Sequence, residues 1–500
     1  MSKDINTAFI GHPKPLFGLF LTELWERFSY YGIRPLLIFV MMASQGVGGL
    51  ELSREDASAI TGIFAGCMYL AALPGGWLAD NVFGQKRAIF IGSVIIALGH
   101  VALGFSYFYD YAFFLGLSLI VVGSGLFKTC ASVMVGAMYK PGDERRDSGF
   151  TIFYMGINIG SFFAPLICGY LAEDYGFHFG LGAGGVGMLI SLAIFYFIAI
   201  KDFDEFDEKV GLSENWQRLK NVGFGKFCMS FVAIIAFILL LFGLFYFEIL
   251  DSKASSISTN LVFFILFCVA VYFAYFFFSS KLNKDEKKSL VAMMIFMLAG
   301  AVFFSAFEQQ PTSYNLFAND FTDKNLFGFS VPVVWFQSLN PIFIIIFAPI
   351  AAQFWLYLSQ RGFGLSSTAK FALGLFFAGL GFVVMYFAAL EVLGGTAQVS
   401  MLWIVVSMFF LTLGEICLSP VGLSLFTKIA PQAIKSQAMG LWLINGSLGN
   451  VIAGIVGGNV DANKIELLPE LFKQSAIVLF ACALLLFLLK GYISRMIKQI

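Results

Sequence analysis

The sequence predicts an all-α polytopic membrane protein with fourteen spanning helices. Three observations predict it: the composition, the recurrence of apolar runs of bilayer length, and the placing of Lys and Arg between those runs. Of 500 residues, 59% are hydrophobic and only 12% charged, with 61 Phe. A soluble domain carries about 25% charged residues. A helix needs about 20 apolar residues to cross a bilayer. Such runs fall near 16–42, 54–79, 87–107, 112–138, 148–172, 180–200, 226–249, 258–280, 288–310, 333–358, 368–390, 399–429, 436–458 and 472–494. With both termini inside, 23 of the 31 Lys and Arg lie in inside loops and helix ends. Five lie outside (Arg54, Lys253, Lys324, Lys464, Lys473) and three within spans (Arg27, Arg34, Lys128). That excess is the positive-inside bias expected of a correctly oriented membrane protein.

The first six spans form one bundle over 1–200. A charged loop and a two-helix insert occupy 201–287, and the last six spans form a second bundle over 288–500. Six plus six is the arrangement of the major facilitator fold, where two parallel halves enclose a midplane site. The formal net charge is zero, which argues against nucleic acid and against a basic membrane-surface module. The first fifteen residues are largely polar and the first apolar run is too long for a signal-peptide core, so no cleavable leader is expected. Seven Cys (67, 130, 168, 228, 268, 417, 482) mostly sit in apolar runs without metal-ligand spacing. They read as small core residues. His12, His100 and His178 are too few and scattered for a catalytic metal site, and His100 reads as a core histidine.

The first span carries the chemistry. At about 100° per residue, Glu23, Glu26, Arg27, Tyr30 and Arg34 share one helical face. Charges at bilayer depth cost several kcal/mol or more, so they line a pathway or a partner helix rather than lipid. Lys128 in the fourth span, Glu308 after the insert and Glu415 near the C-terminus add to them. The three bases lie in the first half, and Glu308 and Glu415 in the second. A carboxyl deprived of water holds a proton more readily, which is what a proton-coupled carrier needs. A zwitterionic solute calls for a cationic pocket facing an anionic one, with Arg gripping a carboxylate in bidentate fashion. Between spans two and three, Gly75-Gly76-Trp77-Leu78-Ala79-Asp80, then Gly84 and Lys86-Arg87, permit close helix approach. There Asp80 is expected to lock helix ends with the basic pair. The Phe-rich runs 235–247 and 272–278 read as lipid-facing surface.

Glu23-Leu24-Trp25-Glu26-Arg27-Phe28-Ser29-Tyr30-Tyr31-Gly32 resembles the ExxERFxYYG motif of the proton-dependent oligopeptide transporter family. Phe153–Gly160 resembles that family's FYxxINxG signature. Phe307-Glu308-Gln309-Gln310, Leu339-Asn340-Pro341, Gly414–Pro420 and Gly440-Leu441-Trp442 follow in the family's order. The resemblance implies no enzyme and no cofactor. It implies a symporter importing di- and tripeptides on the proton gradient by alternating access, as a monomer in the bacterial inner membrane. By matching position, Arg27 and Lys128 would hold the peptide carboxylate, with Arg34 nearby. Asn158, Asn340 and Glu415 would hold the amino terminus, Tyr31 and Tyr69 the backbone, and Ser419 and Trp442 the side chains. Glu23, Glu26, Arg27 and Glu308 would couple the proton. Arg34 with Glu308, and Lys128 with Glu415, would gate.

Two other readings stand beside this one. A carrier of another solute, a nitrate-like anion or a peptide-like drug, shares the scaffold; the full first-span stripe with Lys128 and Glu415 favours peptides. A membrane-embedded hydrolase would need a nucleophile–His pair or HExxH-type ligands, and the sequence has neither.

Overall fold

The computed structural model describes residues 4–213, 228, 229, 232, 233, 235, 236, 253–280, 282–431, 434 and 437–497. Among these, regular structure is helical apart from four two-residue strands. Thr322–Asp323 runs parallel to Val399–Ser400, and Asn325–Leu326 pairs antiparallel with Phe329–Ser330. Twelve of the described helical segments are long and apolar enough to span a bilayer. Helix α1 (Pro15–Met42) has the same length but bears four charged residues. The span expected near 226–249 falls largely outside the described residues. The all-α, membrane-spanning fold class is as the sequence predicts.

The chain forms two compact units, one of Met1–Glu51 with Cys67–Asp251, the other of Leu52–Gly66 with Ser252–Ile500. The first holds α1, the C-terminal part of α2 (Arg54–Leu78), α3 (Gln85–Phe105), α4 (Asp110–Ala137), α5 (Arg145–Tyr175) and α6 (Phe177–Ile194). Helix α6 continues through a π-helical turn, Phe195–Ala199, into α7 (Ile200–Lys209). The second unit holds the N-terminal part of α2, then α8 (Ala254–Phe278), α9 (Lys284–Phe307), α10 (Asn315–Phe321) and α11 (Leu339–Gln360). It ends with α12 (Ser367–Leu393), α13 (Leu402–Ile429), α14 (Ala438–Gly457) and α15 (Leu468–Ile497).

Lipid tails are as apolar as leucine, so helices in a bilayer gain most from close backbone approach. Glycines provide it here. A Cβ built on Gly92 of α3 would stand 2.6 Å from the Gly123 carbonyl oxygen of α4, and one on Gly99 2.8 Å from that of Gly116. In the second unit Gly374 and Gly414 join α12 to α13 in the same way, at 2.9 and 2.7 Å. The first part of α2 docks on α14 there: Ser58 Oγ donates to the Gly454 carbonyl at 2.6 Å, and Arg54 pairs with Asp320 at 2.5 Å.

The end of the first unit near residue 14 is tied by charge. Lys14 Nζ reaches Asp202 and Glu205 of α7 at 2.8 and 3.0 Å, and Lys86 pairs with Asp204. The expected Asp80–basic pair lock takes a different form. The π turn Ala79–Phe83 ends at Gly84 (φ 74°), which sets Asp80 against Gln85 at the start of α3. Gln85 Nε2 donates to Asp80 Oδ1 at 2.8 Å, and Lys86 turns to α7 instead. On α8 the bilayer face is split: Phe277 and Phe278 are exposed, whereas Phe273 and Phe276 pack inward. Run 235–247 lies almost wholly outside the described residues.

Candidate functional site

In the first unit, Glu23, Glu26 and Arg27 lie on one face of α1, as their spacing requires. Each is at least nine-tenths buried. Arg27 Nε stands 2.5 Å from Glu26 Oε2 and 3.1 Å from Glu23 Oε1. Both carboxylates thus lie in ion-pair range of the guanidinium. Arg27 Nε and Nη2, Glu23 Oε2 and Glu26 Oε2 are nevertheless buried with no hydrogen-bond partner among the described residues. The Tyr30 ring lies between Arg27 and Arg34, with guanidinium carbons 5.9 and 5.8 Å from its centroid. Tyr31 meets Tyr30 edge-on at 5.0 Å.

Helix α5 lies against this face because Gly160 lets it in. A Cβ at 160 would meet the Leu24 carbonyl and stand 3.2 Å from Arg27 Cβ. Asn158, one half-turn earlier, is buried and donates its amide to the Tyr154 carbonyl at 3.0 Å. Lys128 of α4 places its ammonium 3.8 Å from the ring centroid of Tyr69 on α2. His100 behaves as a half-satisfied core histidine: Nε2 shares a 2.6 Å hydrogen bond with Ser29 Oγ, and Nδ1 has no partner among the described residues.

In the second unit, Asn340 near the start of α11 donates to Glu415 Oε2 at 2.9 Å and to Thr412 Oγ1 at 3.1 Å, both on α13. Glu308 is buried at the C-terminal cap of α9. There the chain passes into the π-helical turn Gln310–Tyr314. A polar network lies beside it. Gln337 Nε2 donates to the Gln310 carbonyl at 2.8 Å and to Asn315 Oδ1 at 2.9 Å, and Ser313 donates to Gln309 Oε1 at 3.1 Å. π-Bulges recur at functional sites. Trp442 is 5% exposed and packs on Phe304, Phe371 and Phe426, with Gly422 against its ring edge. Ser419 Oγ is buried without a hydrogen-bond partner among the described residues.

The family model described as POT family matches residues 86–471. The chain belongs to the POT family. It is 50% identical to the peptide transporter YePEPT of Yersinia enterocolitica over all of this chain and 99% of that one. It is 35% identical to a di-/tripeptide transporter of Lactococcus lactis subsp. cremoris, over 89% of each. A crystal structure of a mutant peptide transporter POT in complex with alafosfalin superposes with a TM-score of 0.86 at 37% identity, covering 98% of this chain and 97% of that one. A POT member is a multi-pass transporter and not an enzyme.

Within each unit, several of the residues singled out by the sequence come together. Glu23, Glu26, Arg27, Tyr30 and Arg34 form one row, Lys128 meets Tyr69, and Asn340 meets Glu415. Trp442 lies in the interior packing of its unit. Thr412 and Gln337 were not legible from sequence. Gln337 lies three residues before Asn340 and Thr412 three before Glu415, so helical spacing from these candidate residues was the available signal.

Proposed function

We propose that this POT-family chain is a proton-coupled symporter that imports di- and tripeptides by alternating access across the bacterial inner membrane, as a monomer with both termini cytoplasmic. The domain reading that goes with it is an N-terminal bundle over 1–200, the loop and insert over 201–287, and a C-terminal bundle over 288–500. The similar transporters of Yersinia and Lactococcus, named for peptides and for di-/tripeptides, support the substrate class.

The observation that carries the reading is Arg27. Two carboxylates lie in ion-pair range of its Nε, yet both Nε and Nη2 are buried without a hydrogen-bond partner among the described residues. A buried donor without an acceptor costs about 1–3 kcal/mol, more when charged. A peptide carboxylate would relieve that cost. Protonating Glu23 or Glu26 weakens its hold on the guanidinium and leaves Arg27 readier for a carboxylate, so proton and substrate are expected to favour each other. Arg34 and Lys128 add positive charge to the spans of the same unit, while Glu308 and Glu415 place two carboxylates within spans of the second unit. Asn340 already shapes Glu415 into an acceptor suited to a primary ammonium, and Asn158 would add an amide oxygen. Tyr31 and Tyr69 would touch the peptide backbone, and Ser419 and Trp442 would bound its side chains. Arg34 with Glu308, and Lys128 with Glu415, would make and break charge pairs as the transporter cycles.

Labelled dialanine uptake into proteoliposomes, with and without an inward proton gradient, tests this. Gradient-dependent accumulation that unlabelled di- and tripeptides compete, and free amino acids do not, is the expected result. Folded protein with no uptake in either condition would point to a carrier of another solute.

A further inference from the structure

Along the back of α1 runs an apolar groove that the charged stripe does not use. It holds about 550 Å³ and is walled by α1, α5 and α6, all within the first unit. At about 100° per residue, Trp25 and Phe28 stand about 200° and 140° round α1 from Glu23, on the face opposite the stripe. They meet edge-on at 5.3 Å and line the groove. Glycines shape it. A Cβ on Gly187 would stand 2.6 Å from Phe28 Cδ1, so α6 closes on α1 there, whereas one on Gly182 meets nothing within 4 Å. His178, Gly182, Val186 and Ile190 line the α6 wall at every fourth position. From His178 to Ile190 is about 18 Å of helix, close to one leaflet of a hydrocarbon core about 30 Å thick. Ile167, Phe179 and Val186 are exposed along it, as a bilayer-facing wall is.

The mouth lies where α5 turns into α6 at Gly176 (φ 103°). Asp174, two turns beyond the groove-lining Ile167, falls within about 20° of it on α5. Asp174 is exposed and accepts a hydrogen bond from the Tyr170 hydroxyl. That anchors the carboxylate and leaves it further acceptor sites. His178 lies at the same end, edge-on to the Tyr107 ring at 5.0 Å, with Nδ1 buried and without a hydrogen-bond partner among the described residues. No Lys or Arg occurs in 35–53, 88–127 or 147–200, the stretches that build this end of the unit, whereas Glu51, Asp110, Glu173 and Asp174 do.

We infer that this groove is a lipid site that takes one acyl chain of an aminophospholipid of the phosphatidylethanolamine type, with the ammonium at Asp174 and the phosphate at His178. The site is independent of what the protein carries. Any apolar groove facing a bilayer fills with hydrocarbon; the mouth adds a choice of headgroup. Sites for anionic lipids are built from Lys and Arg, which this end lacks. A primary ammonium offers three N–H donors to a carboxylate, as a lysine does, and a quaternary choline offers none. His178 Nδ1, as N–H, is a donor for a phosphate oxygen. The acyl chain packs on Trp25 and Phe28, so the bound lipid backs the helix that carries Glu23, Glu26 and Arg27.

Native mass spectrometry of the full chain in detergent, titrated with dioleoyl lipids that differ only in headgroup, tests this. The wild-type protein is expected to retain phosphatidylethanolamine at about twofold to fivefold lower lipid concentration than phosphatidylcholine, the range of an exposed ion pair. Phosphatidylglycerol should bind least. Asp174→Asn should abolish the preference for ethanolamine over choline and leave binding of the choline lipid as it was. Gly182→Leu sets a side chain in the open groove and should lower retention of all three lipids. Gly104→Leu, at an equally open and exposed glycine of α3 outside the groove, should not. Equal retention of the three headgroups by the wild-type protein, or a preference for phosphatidylglycerol, would leave ordinary boundary lipid and overturn the inference. An ethanolamine preference that survives Asp174→Asn would overturn it, as would a Gly182→Leu protein that retains lipid as Gly104→Leu does. Should Gly182→Leu not fold, the comparison of headgroups in Asp174→Asn, at an exposed position, still decides.

Discussion

Asn340 on α11 and Glu415 on α13 are joined by a 2.9 Å hydrogen bond, and the same amide reaches Thr412 one turn along α13. Asparagine thus spends its donor on a carboxylate and fixes which oxygens of Glu415 remain for a cation. Hydrogen bonds to a charged group contribute about 1.5–3 kcal/mol, roughly tenfold to a hundredfold in affinity. Asn340→Leu should therefore weaken a dipeptide with a free amino terminus by about that factor, and its N-acetylated form far less. Competition of labelled dialanine uptake by the two peptides measures it. Equal weakening of both would remove Glu415 and Asn340 from amino-terminus recognition.

The two carboxylates on Arg27 predict a split phenotype. Glu23→Gln and Glu26→Gln each remove one negative charge from beside the guanidinium but keep side-chain volume and one acceptor oxygen. Accumulation driven by a proton gradient should be abolished in each, while exchange of labelled for unlabelled peptide without a gradient persists. Glu26, at 2.5 Å, makes the shorter contact, so Glu26→Gln should leave Arg27 freer and raise peptide affinity more than Glu23→Gln. Full gradient-driven accumulation in either variant would take that residue out of coupling.

The paired glycines of α3 and α4 leave no room for a side chain. A leucine at position 99 would put its first carbon 2.8 Å from the Gly116 carbonyl oxygen and against Ile120. Overpacking of this kind typically costs about 1–3 kcal/mol. Thermal unfolding in detergent should show Gly99→Leu well below wild type. Gly104→Leu, where a Cβ meets nothing within 4 Å, should be close to it. Equal melting temperatures for the two variants would show that the approach of α3 to α4 tolerates a side chain.

The bilayer spans were legible because apolar runs of fixed length are a one-dimensional signal. The row from Glu23 to Arg34 was legible because helical spacing maps directly onto a face. Asn340 with Thr412 was not, since two helices 72 positions apart leave no periodic trace of which residues meet. Gln337 with Asn315 was hidden for the same reason. Asp80 was placed with its basic neighbours on charge alone, and the π turn that aims it at Gln85 has no signature in composition. Helix α2 reads as one apolar run, yet its first thirteen residues belong to one unit and its remainder to the other. Hydropathy cannot report that division, because it depends on partners: Ser58 and Gly62 pack on Gly454, while Gly75 packs on Gly125.

Outside the spans, His12 gives the protein a pH-dependent tie. Its Nδ1 shares a 2.9 Å hydrogen bond with the Tyr139 hydroxyl after α4, and Ser148 of α5 lies 3.4 Å from Nε2. Burial holds the imidazole below its ordinary value, and the Arg145 guanidinium adds to this, with Asp143 acting in the opposite sense. The folded protein therefore binds this proton less readily than the unfolded chain. Stability from this group is fully present above the unfolded histidine value of about 6.5, and it is lost as pH falls below that value towards the folded one. Between pH 7.5 and 5.5 the wild-type melting temperature should fall further than that of His12→Gln, which keeps a polar side chain and cannot ionise. The two should differ most in slope below pH 6.5. Parallel pH profiles for the two proteins would show that His12 takes up its proton equally in both states and contributes nothing to the acid sensitivity of this end of the bundle.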